Sequence, residues 1–283
     1  MLVILRLHRP SIEWLWGVTI MNFNFLTIVA IYGNTDGHEA LPVIRKSMGE
    51  LPGSRGLLIS IKEPTGLPAS IKWQKILPMD YRQYSLFVMF CLHNFINSDY
   101  CLIVQHDGWI INGKNWPENF FEYDYIGAPC HAAIVDNQLV TSYSWVGNSS
   151  AVVIQNGGVS LRSKKYLEAP SHLGVLYYFS EVGVLQNEDV QLTGIFRTVL
   201  KDSGIRFAPE EIAKNFSLEY AGPKYHDDVS FENLVGIHGQ TRRLVSEDTI
   251  KITIPKNEIV NIHREQELLT YLENGLGYKI QFN

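Results

Sequence analysis

The chain has 283 residues, of which 46% are hydrophobic and 12% aromatic, enough for one large domain with its own core. Only 19% of the residues are charged, the formal net charge is -5 and the isoelectric point is near 6.0. This balance weighs against a general affinity for nucleic acid, because no basic stripe is available to neutralise phosphates, and it leaves room for a small basic site for one diphosphate. Cys91, Cys101 and Cys130 show no CxxC spacing, so we expect reduced thiols and a cytoplasmic location.

The N-terminal segment allows several interpretations. Residues 14–34 carry no charged side chain, and that length could span a bilayer or act as a signal anchor. Polar residues and a glycine interrupt the stretch, however, and its second half is typical of a strand. We therefore expect residues 1–20 to be an extension outside the fold or a peripheral amphipathic segment, and residues 21–283 to form the domain.

Strands alternate with helices in the first hundred residues. The run LTIVAIY at Leu26–Tyr32 is continuously apolar, as in parallel strands that are buried on both faces. Further strands are predicted at residues 56–61, 71–77 and 100–105, and helices at residues 38–48 and 84–96, the second after an N-cap at Asp80. This order favours an open α/β sheet with right-handed crossovers, in which ligands bind beyond the carboxyl ends of the strands.

The second half of the chain is more mixed. Strands are predicted at residues 151–154 and 250–254, and helices at residues 161–168, 189–200 and 265–274. The sequence shows no internal repeat, low-complexity linker or clean shift in composition, which favours a single domain.

Gln105-His106-Asp107-Gly108 directly follows a predicted buried strand. A carboxylate there could reach a ligand, and Mg²⁺ typically takes one or two carboxylates together with substrate phosphates. Asp-Gly pairs also commonly form plain turns, which is the simpler interpretation of this segment taken alone.

Asn156-Gly157-Gly158 is predicted to lie between a strand and a helix. Two glycines let backbone N–H groups approach a ligand closely, and a helix N-terminus favours anions. Arg162 could then steady a phosphate. An ordinary tight turn and a solvated helix face are the alternatives.

Two further candidates are an acidic pair and a late histidine. Glu188 and Asp189 open a predicted helix, where the dipole favours acids in any case, but either could serve as a general base. His238 lies between glycines in GIHG and is sterically free to bind a metal, although such a histidine is more often a surface residue. The histidines show no zinc-type spacing such as HExxH, and the absence of GxSxG, P-loop and GxGxxG motifs weighs against hydrolase, P-loop and Rossmann-oxidoreductase functions.

Taken together in chain order, these motifs resemble those of the GT-A glycosyltransferases. They resemble more closely a family of bacterial proteins classed as glycosyltransferase-like. The resemblance spans residues 84–238 and rests on VQHDG, YDYIGAP, NGGVSLRS, NEDV, IRFAPEEIAKNFSLE and GIHG. It implies a GT-A-like (Rossmann-like) mixed, mainly parallel sheet flanked by helices. It also implies a hexosyltransferase that moves a sugar from a nucleotide-diphosphate donor to a glycan or glycolipid acceptor in surface polysaccharide synthesis, with peripheral membrane association left open.

The resemblance also implies roles for individual residues. Asp107 matches the last acid of a DxD-like motif and His238 a late metal ligand, so both are expected to hold Mn²⁺ or Mg²⁺. Gln105 replaces the first acid. Asp189, with Glu188 beside it, matches the catalytic base of inverting members. The residues expected to bind the donor are Tyr32, Asn34, Asp36, Gln105, His106, Asn156, Gly157, Gly158 and Arg162.

Two other functions remain open at this stage. A nucleotidyltransferase can share such a sheet, but it would require a basic glycine-rich loop after the first strand. Residues 33–37 contain no lysine or arginine, which counts against this function. The other is a catalytically decayed protein that binds sugar nucleotides or glycans, which the missing first acid of the DxD favours slightly and the retained Asp107, Asp189 and His238 argue against.

Overall fold

The structure is a computed structural model that describes residues 12–15 and 18–282. Its strands are β1 (Ile12–Leu15), β2 (Val18–Met21), β3 (Leu26–Tyr32), β4 (Arg55–Ser60), β5 (Ile71–Lys75), β6 (Tyr100–Ile103), β7 (Gly108–Ile110), β8 (Tyr125–Val135), β9 (Gln138–Val140), β10 (Val152–Ser163), β11 (Ser217–Leu218), β12 (Gly236–His238), β13 (Arg242–Ser246), β14 (Thr249–Ile252) and β15 (Lys279–Phe282). Its α-helices are α1 (Leu41–Glu50), α2 (Tyr81–Phe90), α3 (Lys164–His172), α4 (Glu188–Val190), α5 (Arg197–Asp202), α6 (Glu210–Phe216) and α7 (Glu265–Thr270).

The central sheet has the strand order β5-β4-β3-β6-β10-β8-β9. β3 pairs in parallel with β4 and β6, and β4 pairs in parallel with β5. β10 runs antiparallel to both β6 and β8, and β9 is antiparallel to β8. Five of the seven strands of this sheet therefore point the same way, and the predicted α/β fold with a mixed, mainly parallel sheet is confirmed.

β3 lies in the middle of the parallel half and is buried along its whole length, as its continuous apolar run predicts. The predicted N-cap of α2 is also present. Asp80 accepts a hydrogen bond from the backbone N–H of Gln83, and the Gln83 side chain accepts from the backbone N–H of Asp80. This capping box satisfies two backbone donors at the helix start, and α2 ends at Phe90, short of the predicted residue 96.

The helices predicted at residues 161–168 and 189–200 are also wrong in extent. Residues 161–163 belong to β10, because that strand pairs with β6 and β8 up to Arg162 and Ser163, and α3 starts only at Lys164. The helix expected at residues 189–200 is divided into α4, a π-helical turn at Gln191–Ile195 and α5.

Besides the central sheet and the β1–β2 pair, the described residues form two three-stranded sheets. β11, β12 and β7 form one, in which β12 pairs in parallel with β11 and antiparallel with β7. β13, β14 and β15 form the other. The first includes β7, which follows the turn after β6, and it carries His238 at the end of β12.

The segment before β3 is described only in part. The backbones of β1 and β2 pair in an antiparallel manner, whereas residues 1–11, 16 and 17 lie outside the described residues. The expected boundary after residue 20 therefore stays a prediction. Within residues 12–15 and 18–282, no helix has the length and apolar character needed to cross a bilayer.

Candidate active site

The turn that follows β6 forms the edge on which the site is built. Gln105 and Gly108 exchange two backbone hydrogen bonds, of 3.0 and 2.8 Å, so His106 and Asp107 stand at the tip of a tight turn. The backbone N–H of His106 donates to the hydroxyl of Tyr32 at the end of β3, at 3.0 Å. The predicted residues after β3 and after β6 are thus brought together, as expected for neighbouring parallel strands.

The pairing of β7 with β12 brings Asp107 and His238 together. His238 lies opposite Gly108, and the backbone N–H of Gly239 donates to the Asp107 carbonyl at 2.9 Å. As a result, Asp107 Oδ1 is 3.6 Å from His238 Nε2, and both side chains are 9% exposed. Asp107 Oδ1 is buried without a hydrogen-bond partner among the described residues.

These atoms fit a hard divalent cation. Asp107 Oδ1 and His238 Nε2 are 3.6 Å apart, close enough for both side chains to serve as ligands of one cation. The amide oxygen of Gln105 is 3.4 Å from the same nitrogen and adds a third candidate ligand, a role different from the expected contact with the donor. Within the described ranges, no three His, Cys, Asp or Glu side chains form a cluster that could hold a metal, so a cation here would need Gln105, water or substrate oxygens as further ligands.

Asn156-Gly157-Gly158 does not form the predicted loop between a strand and a helix. It lies inside β10, where the pairing with β8 shifts register between Gln155 and Ser160, as in a β-bulge. A Cβ on Gly157 would overlap Glu188 Oε1, and one on Gly158 would lie 2.7 Å from His238 Cδ2. The glycines are therefore required by close packing against site residues.

The backbone N–H groups of this bulge are already occupied. The N–H of Gly157 donates to Asp189 Oδ2 at 3.0 Å, and that of Gly158 donates to Asn156 Oδ1 at 2.5 Å. The bulge therefore positions two side chains. Gly157 holds Asp189 through this hydrogen bond, and His238 packs on Gly158.

Asp189 is partly buried and accepts a second backbone hydrogen bond, from Val190 to Oδ1 at 2.7 Å. Burial, and after it the neighbouring Glu188 carboxylate, raise the pKa of Asp189 to about 7 against the lowering effect of these two hydrogen bonds. A carboxylate with a pKa near neutrality is suited to accept a proton from a reacting group.

Arg162 and Glu188 form a buried ion pair beneath the bulge. Arg162 Nη2 is 2.8 Å from Glu188 Oε1, with side-chain exposures of 0% and 5%. Arg162 Nε also donates to Ser160 Oγ at 2.9 Å. The guanidinium thus faces the protein interior, and the geometry places Arg162 and Glu188 behind Asp189 instead of on a ligand.

A cavity of about 240 Å³ opens beside the turn. Tyr32 and Asn34 line it from the end of β3, His106 from the turn and Tyr84 from α2. The expected donor contact Asp36 lies outside this lining; its Oδ1 accepts from the backbone N–H of His38 and shapes the start of the next helical turn. A second cavity, of about 580 Å³, lies on the other side of His106, between the start of α1 and the β13–β14 hairpin.

Sequence reasoning missed Glu219. It follows β11, and the parallel register that sets Leu218 opposite Ile237 places Glu219 beside His238. Its Oε1 is 3.9 Å from His238 Nδ1. The signal available in the sequence was its position as the last residue of the IRFAPEEIAKNFSLE segment.

The family comparison covers the segment that builds this site. Residues 80–238 match the model of a family described as "Protein of unknown function (DUF5672)". The chain belongs to the DUF5672 family. The matched segment begins at the N-cap of α2 and ends at His238, and it contains both Asp107 and Asp189. No curated protein matches the sequence.

Solved structures similar to this DUF5672 protein include two glycosyltransferases. The galactosyltransferase LgtC, in a complex with donor and acceptor sugar analogs, is 13% identical, with a TM-score of 0.46 over 89% of this chain and 96% of that one. GlyE of Streptococcus pneumoniae TIGR4 is also 13% identical, with a TM-score of 0.44 over 87% of this chain and 60% of that one. Similarity this low does not identify an activity.

Proposed function

We propose that this protein is a glycosyltransferase that moves a sugar from a nucleotide-diphosphate donor to a hydroxyl group of a glycan or glycolipid, with inversion at the anomeric carbon. One observation carries the proposal. In the β10 bulge, Gly158 packs against His238, which lies beside the buried carboxylate of Asp107. The adjacent Gly157 donates a hydrogen bond to Asp189, whose pKa is about 7. A cavity at the carboxyl edge of the parallel strands lies next to this arrangement.

The donor nucleotide is assigned to the 240 Å³ cavity. Its aromatic walls, Tyr32, Tyr81 and Tyr84, offer faces on which a nucleobase can stack. The diphosphate would then lie towards His106 and Asp107, at the tip of the turn. Asn34, at the mouth of the cavity, is exposed and has its amide available for the ribose or the base.

Asp107, His238 and the amide oxygen of Gln105 are the groups that would hold Mn²⁺ or Mg²⁺. When bound, the cation would supply Lewis-acid neutralisation of the departing diphosphate. Replacement of the first DxD acid by Gln105 makes the ligand set less negative than a two-carboxylate site. We therefore expect the donor phosphates to contribute strongly to the binding of the cation.

Asp189 would act as the general base. The acceptor oxygen attacks the anomeric carbon, a new C–O bond forms as the bond to the diphosphate oxygen breaks, and the hydroxyl proton passes to Asp189. Because an alcohol is a weak nucleophile, such assistance is worth roughly 10²–10⁴-fold. The pKa of about 7 implies that activity rises with pH through neutrality, as Asp189 becomes ionised.

A binding screen tests the proposal. Calorimetry and thermal shift would be measured with UDP-, GDP-, dTDP- and CMP-sugars, with and without Mn²⁺, on the wild type, on Asp107→Ala and on Asp202→Ala, which removes an exposed carboxylate on α5. We expect one diphosphate sugar to bind with a requirement for Mn²⁺, and binding to be lost in Asp107→Ala but kept in Asp202→Ala.

The outcomes separate the alternative functions. Metal-dependent binding followed by slow hydrolysis of the donor supports a transferase, whereas binding without any turnover of the donor supports a decayed binding protein. A folded wild type that binds none of the four donors, with or without metal, would refute the proposal.

A further inference from the structure

Glu219 faces the ring nitrogen of His238 that lies away from Asp107. Asp107 Oδ1 is 3.6 Å from His238 Nε2, and Glu219 Oε1 is 3.9 Å from His238 Nδ1. His238 is therefore flanked by one carboxylate at each nitrogen, and the Glu219 side chain is only 15% exposed.

On this side of the ring the Glu219 side chain has the Cys130 thiol as a hydrogen-bonding neighbour, but two polar atoms have no partner. His238 Nδ1 and Glu219 Oε2 are buried and have no hydrogen-bond partner in the part of the chain that the structure describes. Buried polar groups are normally hydrogen-bonded. A shift of about 1 Å would bring Nδ1–H and a Glu219 oxygen within hydrogen-bond distance.

A second buried ion pair fixes the two backbones at this spacing. Arg242 Nη2 donates to the carbonyl oxygens of both Glu219 and His238, each at 2.6 Å. The same guanidinium is held by Glu265, whose Oε1 is 2.5 Å from Nη1, and the two side chains are 0% and 2% exposed. The separation between Glu219 and His238 is thus set by a rigid support as well as by the register of β11 and β12.

We propose that Glu219 is a positioning residue that keeps His238 in the Nδ1–H tautomer and so leaves Nε2 as a lone-pair donor to a divalent cation. The inference rests on the proposed function for the metal itself. A histidine ligand whose second nitrogen donates to a carboxylate is fixed in orientation and is more basic. Without Glu219, the Nε2–H form is favoured instead, in which Nε2 donates to the Gln105 oxygen 3.4 Å away or to Asp107 and is unavailable to a metal.

The tautomer can be measured without any metal. In protein with ¹⁵N-labelled histidine, the signal of His238 is assigned by its loss in His238→Ala. We expect the Nδ1–H tautomer in the wild type and in Glu211→Ala, which removes an exposed carboxylate on α6. In Glu219→Ala we expect a shift to the Nε2–H form. An unchanged tautomer in a folded Glu219→Ala protein overturns the inference.

The second measurement is the affinity of the protein for Mn²⁺ alone, determined by EPR. Loss of such a supporting carboxylate typically weakens metal binding 10–100-fold, so we expect that change in Glu219→Ala and a smaller one in Glu219→Gln, whose amide oxygen still accepts a hydrogen bond. In a His238→Ala background, Glu219→Ala should cause no further loss, and an additive loss overturns the inference. Wild-type protein that binds Mn²⁺ without any dependence on Asp107 or His238 refutes the metal site of the proposed function, and the tautomer measurement still decides whether Glu219 controls His238.

Discussion

Replacing Asp189 with asparagine is expected to abolish transfer and to stabilise the protein above pH 7. Burial and the neighbouring Glu188 raise the pKa of Asp189 from 3.8 to about 7 in the folded protein. A carboxyl group with a raised pKa favours the fold in its protonated form. Its contribution to stability is therefore fully present below the unfolded pKa near 4 and is lost as the pH rises through 7.

The size of the effect follows from two opposing terms. A shift of roughly three pKa units corresponds to about 4 kcal/mol of differential stability, and partial exposure of Asp189 reduces this figure through solvent screening. Asparagine avoids the charge, but its single oxygen replaces two acceptors, so either the Gly157 or the Val190 N–H loses a partner at a cost of about 1–2 kcal/mol. The net expectation is a gain of about 2 kcal/mol at pH 8 and a loss of about 1 kcal/mol at pH 4.

Urea denaturation and thermal melting between pH 4 and pH 8.5 would measure this change. At pH 8 we expect Asp189→Asn to melt about 4 °C above the wild type, with its transfer rate reduced by at least 10²-fold. Asp202→Asn, on the exposed face of α5, serves as the control and should show neither change. A variant that is less stable than the wild type at both ends of the pH range would show that the Asp189 carboxylate is not disfavoured by its surroundings, and full activity of the variant would remove Asp189 as the base.

Two other substitutions test the packing beneath the site. Gly158→Ala should displace the His238 ring and abolish metal-dependent donor binding, measured by calorimetry. Gly49→Ala in α1 should leave binding intact, because the new Cβ meets nothing within 4 Å apart from its chain neighbours and the backbone of its own helix. Retained binding in Gly158→Ala would contradict the close approach. Arg162→Met should destabilise the fold by about 3–5 kcal/mol in urea, because it leaves Glu188 charged and buried without a partner. Arg162→Met combined with Glu188→Leu should recover most of that loss, and a double variant no more stable than the single one would argue against the ion pair as the cause.

The parallel half of the sheet could be predicted because its signals are local. β3 needs only a continuous apolar run, and the start of α2 needs only Asp80 and Gln83 three residues apart. The carboxyl edge of the parallel strands then follows from topology. Asp107 and His106 could therefore be assigned to a functional edge without knowledge of any contact.

The rest of the site depends on pairings between distant segments. In β10, Gly157 and Gly158 look like a break in the strand, but pairing with β6 and β8 keeps the chain extended on both sides of them. The helix predicted at residues 189–200 changes to a π-helical turn around Gly194, where an added Cβ would lie 3.2 Å from Ile134 and 3.3 Å from Ile154. No window of sequence contains these partners, so neither feature could be predicted from local patterns.

The two buried ion pairs explain how so small a bulge can hold both halves of the site. A buried ion pair is often no more stabilising than apolar side chains of the same volume. The stability of the fold alone therefore does not account for Arg162 and Arg242. Each guanidinium, however, has donors left over after its carboxylate partner, and these reach backbone carbonyls: Gly157 in one case, Glu219 and His238 in the other. An apolar replacement could fill the space but could not fix those carbonyls. The positions of Asp189 and His238, on the two sides of the bulge, therefore depend on two buried ion pairs that lie behind the site.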